Sequence, residues 1–268
     1  MNLLCSIWRS SLGKKYLMAL TGAALLVFVI GHLVGNLQIF GSPDLINAYA
    51  HFLKGKPALL WGARLGLLTC VGIHIAAAVS LVARNRAARP QGYEGGAAYA
   101  STAASRTMPV SGLVILTFVV YHLLHFTALK SGINGTVDFN RLTTTLHDEP
   151  VADVYATMVL GFQVWWVALF YLVAQALLFV HLGHGVAAMF QSLGLRDHVW
   201  WPRIVLLSRV VTVAIFLGYA SIPVAVLGGL GSEYAGKARL KAESAAGPAK
   251  TASVASPGLA SLGKEVVR

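Results

Sequence analysis

The sequence predicts an all-α integral membrane bundle of five transmembrane helices, and three observations carry that prediction. Hydrophobic residues make up 56% of the 268 positions and charged residues only 12%, against roughly 25% charged in an ordinary soluble domain. Five stretches stay apolar over the length of about 20 residues that a spanning helix needs. All ten carboxylates (Asp44, Glu94, Asp138, Asp148, Glu149, Asp153, Asp197, Glu233, Glu243 and Glu265) fall outside those stretches.

The first span covers 16–38, behind Arg9, Lys14 and Lys15. No small-residue cleavage site follows it, so it reads as a retained span and not as a signal peptide. The second, third and fifth cover 59–82, 110–129 and 204–227; Pro57, Pro109 and Pro202 stand just ahead of them, where a missing N–H costs nothing. The fourth covers 158–184, longer than a bilayer requires, and is expected to tilt or protrude, with Trp165 and Trp166 at its outer interface. Residues 1–230 make one membrane domain. The stretch 231–268, rich in Ala, Gly, Ser and Lys, has little to bury and is expected to be mostly disordered.

Lys and Arg exceed Asp and Glu by 21 to 10, but they cluster at span ends without the basic stripe or aromatic platform of a nucleic-acid binder. Arg9, Lys14, Lys15, Arg84, Arg86, Arg89, Arg106, Arg196 and Arg203 flank one side; Lys54, Lys56, Arg64, Lys130 and Arg141 flank the other. Nine against five puts the N-terminus in the cytoplasm, which makes the chain a multi-pass protein of the inner (cytoplasmic) membrane with its C-terminus outside. Cys5 and Cys70 form no C-x-x-C-H, so covalent haem is excluded. The absence of an internal repeat of fixed period weakens a transporter reading.

Ionisable residues inside spans are costly and are functional candidates by default. Here they are histidines: His32, His74, His122 with His125, and His181 with His184. Any one of them alone reads more simply as a hydrogen-bonding core residue, but four consecutive spans each supply one. Alternating helix direction sorts them by depth, His32 with His122 in the outer half and His74 with His181 in the inner half, about 10 Å apart. Two imidazoles at one level of a bundle core make a haem site. Zinc would need four ligands at one depth. Gly31, Gly35, Ala76, Ala77, Ala78, Gly183 and Gly185 beside these histidines let a flat macrocycle lie close, or let helices pack directly. His125 and His184 share a helix face with His122 and His181, so spacing leaves the choice of ligand open, the spare histidine serving a propionate or a quinone. Arg106 and Arg209 either pair with propionates or snorkel to headgroups.

The stretches GHLVGNLQIFGSPDLINAYAHFL (31–53), ASRTMPVSGLVILTFVVYHLLHF (104–126) and HLGHGVAAMFQSLG (181–194) resemble the succinate dehydrogenase cytochrome b subunit family, a single-chain dihaem membrane anchor related to the dihaem fumarate reductase anchors. The resemblance spans about residues 6–228. It implies His32 and His122 as axial ligands of an outer haem b and His74 and His181 as those of an inner haem b. It also implies a flavoprotein and an iron–sulfur subunit as partners, with electrons passing from the latter to a quinone. Dihaem fumarate reductase anchors can carry a glutamate two residues before the fourth ligand, where this chain has Phe179. A quinone site near the outer haem, with Asn36, Gln38 and His51 as polar contacts and menaquinone as the expected substrate, follows if both haems take part. The rival readings are a cytochrome b anchor of another membrane dehydrogenase and a haem-free transporter.

Overall fold

A computed structural model describes residues 3–88, 103–130, 133 and 137–245. It contains five helices long and apolar enough to cross a membrane, spanning Ser11–Phe40, Pro57–Ala87, Arg106–Thr127, Trp165–Ser192 and Trp201–Leu227. After a short α1 (Leu3–Arg9), α2 (Ser11–Asn36) begins where Ser10 Oγ accepts the Gly13 N–H at 2.8 Å, and it runs on as a tight turn, Leu37–Phe40. Pro57 and Pro202 sit in the first turns of α4 (Pro57–Ala87) and α8 (Trp201–Leu227), as their lack of an N–H favours. Pro109 does not stand ahead of its helix: α5 (Ala103–His122) starts earlier and encloses it.

The fourth apolar run takes in parts of two helices. Residues 158–163 belong to α6 (Val154–Gln163); Val164 is extended, with φ −76° and ψ 101°, and α7 (Trp165–Ser192) starts afresh. Eight of the ten residues of α6, from Tyr155 to Phe162, are buried. It is an internal wedge and not part of a span.

The bundle has two unlike ends. At the basic end, Lys14 Nζ donates to Ser80 Oγ at 2.6 Å and Arg84 donates to the Arg9 carbonyl at 2.8 Å, tying the start of α2 to the end of α4. Arg196 and Arg203 stack on Trp201 and Trp200 there, and at the other end Arg64 stacks on Trp61. Such pairs of cation and aromatic ring suit membrane–water interfaces.

The opposite end carries a cap that the sequence reading lacked. It is built from α3 (Pro43–Lys54), a hairpin of β1 (Thr143–Leu146) and β2 (Glu149–Ala152), α6 and α9 (Ser232–Ala245). The hairpin adds a small antiparallel element to an otherwise helical fold. Its two-residue turn, His147–Asp148, has positive φ at both positions, the geometry that matches the twist of the paired strands. Part of the stretch expected to be mostly disordered after 230 is helical, as α9: Ala235 and Ala242 are buried, seven residues apart on one face, and Glu233–Lys237 and Arg239–Glu243 pair along the other. The remainder, 246–268, lies outside the described residues, as does Arg89.

One polar cluster locks the cap. Asn47 Oδ1 accepts the Val154 and Tyr155 N–H groups at 2.8 and 3.0 Å, and its Nδ2 donates to Asp153 Oδ1 at 3.3 Å. Asp153 also caps α6 through the Ala156 N–H at 2.9 Å and accepts from the Tyr234 hydroxyl of α9 at 3.0 Å. Burial pushes the Tyr234 phenol above its ordinary range, which keeps that proton in place as a donor. Gly231, at φ +70°, turns the chain into α9, and a Cβ there would stand 2.7 Å from the Tyr155 hydroxyl oxygen.

Candidate functional site

Four of the spans form a square. α2 packs on α4, α5 on α7, and α2 on α7, while α4 meets α5 more lightly; the diagonals α2–α5 and α4–α7 have no extensive contact among the described residues. The two histidine pairs lie on those diagonals. His32 (α2) faces His122 (α5) with ring centres 5.8 Å apart and planes nearly perpendicular. His74 belongs to α4 and His181 to α7. Interiors of apolar bundles normally close by direct packing of side chains, yet Ala77 is the one buried residue of α4, and all four histidines are half-buried.

Depth follows from the contacts. Thr21 of α2 touches His74, and Ser111 of α5 touches His181. His32 stands eleven residues beyond Thr21, and His122 eleven beyond Ser111, three helical turns in each case. Two independent helices therefore separate the levels by about 16 Å of rise, more than the 10 Å expected from sequence. His32 and His122 form the level nearer the cap; His74 and His181 form the level nearer the basic end.

A hydroxyl stands beside Nδ1 of each lower imidazole. Thr21 Oγ1 donates its proton to the Leu17 carbonyl at 2.6 Å, so at 3.1 Å from His74 Nδ1 it can only accept. Ser111 Oγ likewise lies 3.1 Å from the Met108 carbonyl and 3.2 Å from His181 Nδ1. With each hydroxyl proton on its own helix carbonyl, Nδ1 of each ring would carry the proton and Nε2 a free lone pair. A metal-ligating histidine has this form, its second nitrogen donating to a fixed acceptor. Gly22 and Gly112 lie against these rings: an added Cβ would make ordinary contact, 3.4 and 3.7 Å from the Cε1 atoms of His74 and His181.

At the upper level, Tyr171 of α7 replaces the aliphatic hydroxyl. Its oxygen lies 3.3 Å from His122 Nδ1 and 3.0 Å from His125 Nδ1. The chain leaves α5 at His122 through a π turn, Leu123–Thr127, with Ala128 N bonded to the Leu123 carbonyl at 2.7 Å; such turns recur at functional positions. His125 is 1% exposed, wedged against Phe126 and Gly161, and so is closed off from the space between His32 and His122. His32 and His122, with ring centres 5.8 Å apart, are the residues of this level that would hold a haem iron between them.

The other expected site residues separate. His184 is half-buried on α7, with no hydrogen bond to its side chain among the described residues. Arg106 and Arg209 are exposed, Arg209 beside the buried Ser208 of α8. Asn36 Nδ2 donates to the His32 carbonyl at 2.7 Å, Gln38 is half-buried in the turn after α2, and His51 is exposed on α3. No hydrogen bond joins those three among the described residues. Gly35 packs Tyr49 of α3, to which an added Cβ would come within 2.8 Å, so it serves helix packing; Gly31, Gly183 and Gly185 face open space.

Thr21, Ser111 and Tyr171 were not singled out from sequence. Their signal was there: each shares a helix face with a histidine ten or eleven residues away. Lys14, buried at 3%, continues the inward face of α2 below Thr21 and has Ser80 and the Trp8 ring as neighbours, with no carboxylate paired to it among the described residues. Comparison with known proteins finds no family model, no curated protein and no solved structure that matches this chain.

Proposed function

We propose that this chain is the dihaem cytochrome b membrane anchor of a succinate dehydrogenase, passing electrons from an iron–sulfur subunit to a quinone. The observation that carries the reading is the pair of diagonal histidine couples at two levels, with Nδ1 held by Thr21, Ser111 and Tyr171. His32 and His122 would hold one haem b, and His74 and His181 the other. The groups, when bound, supply one-electron chemistry at two points along the membrane normal. The chain's own part is to orient the imidazoles, three of them through a hydroxyl at Nδ1, keep water from the bundle and line up the two centres. The resemblance to the succinate dehydrogenase cytochrome b family in the stretches around His32, His122 and His181 supports the choice of dehydrogenase.

In this reading the basic end faces the cytoplasm, where the basic loops around Arg84 to Arg106 and Arg196 to Arg203 meet the iron–sulfur subunit, and the flavoprotein lies beyond it. The C-terminal side, with α9 and the cap, faces outward. Quinone, menaquinone by this reading, reacts near the upper centre beside Asn36, Gln38 and His51. Purification with the native partners tests the assignment. A chain that co-purifies with a flavoprotein and an iron–sulfur protein, shows a b-type spectrum and supports succinate-dependent quinone reduction fulfils it. A haem-containing chain that co-purifies with another dehydrogenase instead assigns it to an anchor of a different enzyme.

A further inference from the structure

The geometry points to Tyr171 as a positioning residue: through its single phenolic proton, we propose, His125 sets the strength of His122 as a ligand of the upper haem. This rests on the haem reading above. The Tyr171 hydroxyl is 3% exposed as a residue and lies between two Nδ1 atoms, 3.3 Å from His122 and 3.0 Å from His125. One proton cannot serve both. If His122 presents Nε2 to a metal, its own proton sits on Nδ1 and is donated to the phenol oxygen. Tyr171 must then donate to His125 Nδ1, and His125 keeps its proton on Nε2.

The surroundings hold His125 in that relay. Its Nε2 is buried without a partner, and its ring is pressed by Phe126 at 4.0 Å and Phe139 at 5.7 Å. A Cβ on Gly161 would come within 3.1 Å of both Cε1 and Nε2, so the backbone of α6 closes the remaining side. A histidine kept in place with one nitrogen unsatisfied calls for a reason other than packing. Accepting the phenolic proton makes the Tyr171 oxygen a better acceptor for His122 Nδ1–H, and a ligand whose N–H is strongly accepted is a stronger electron donor to its metal. His125 thus acts on the upper haem through Tyr171 without touching it.

The test is an optical redox titration of the purified haem-containing chain, with His122→Ala used to identify which of two redox steps belongs to the upper haem. Tyr171→Phe should keep both haems and raise that step alone by about 59 mV, a tenfold loss of preference for ferric over ferrous iron. His125→Ala should raise the same step by less, and the double variant should match Tyr171→Phe. An unmoved step in Tyr171→Phe, or a His125→Ala effect that persists undiminished in the Tyr171→Phe background, overturns the relay. Should Tyr171→Phe lose the upper haem, His125→Asn decides: an amide that still accepts the phenolic proton restores the native potential if the relay holds and leaves it shifted as in His125→Ala if it does not. A wild-type chain without haem contradicts the haem reading itself, a separate result.

Discussion

Thr21 and Ser111 lie within 2.6 and 3.1 Å of carbonyls of their own helices, which places their oxygens to accept from His74 and His181 Nδ1. In the dihaem reading, removing either acceptor should loosen the lower haem, since such supporting partners are worth about 10–100-fold in metal affinity. Thr21→Val and Ser111→Ala are therefore expected to release that haem faster to an apo-haem acceptor, leaving the upper one in place. Loss of an axial imidazole is more severe: His122→Ala and His181→Ala should each yield one haem per chain by pyridine haemochrome assay, whereas His125→Ala and His184→Ala should keep two. If His184→Ala loses a haem and His181→Ala does not, the ligand of α7 is wrongly assigned. The histidines themselves were legible because an ionisable residue in an apolar run stands out. Thr21, Ser111 and Tyr171 were not, because hydroxyls are common in membrane helices and only the fold shows which of them meets an imidazole.

Among the elements, the spans were readable and the cap was not. A span is written in one continuous property, apolar length, which Leu, Val and Ala supply over 57–87 without any tertiary help. The cap is written in contacts between distant segments: Asn47 with Val154 and Tyr155, Asp153 with Tyr234. The break at Val164 was hidden for the same reason, since α6 is as apolar as the span that follows it, and only burial on the cap separates the two. Composition also misled after residue 230, where Ala235 and Ala242 bury a face too small to register in a hydrophobic count. Asn47→Ala would leave the Val154 and Tyr155 N–H groups without their acceptor and remove one of the two donors to Asp153 Oδ1. It should destabilise the cap by about 1–3 kcal/mol, seen as earlier proteolysis of the α6–α9 region in detergent. Equal resistance to protease in the variant would mean that the cap does not depend on this cluster.

At the scale of the whole molecule, the two histidine levels stand about 16 Å of helix rise apart, and the proposed haems would make a path from the basic end toward the cap. If the quinone reacts at the capped end with protons from outside, each electron moves outward through the membrane potential, worth about 2.3 kcal/mol per charge per 100 mV. Succinate-dependent quinone reduction in sealed vesicles should therefore change when an uncoupler collapses the potential. Activity indifferent to the uncoupler would move the quinone to the basic end. All of this stands on the two proposed haems, and the most direct measurement is the haem content and spin state of the purified chain. The diagonal pairs predict two b-type haems per chain, both low-spin and six-coordinate with two histidine ligands. One haem, none, or a dominant high-spin signal would contradict the account.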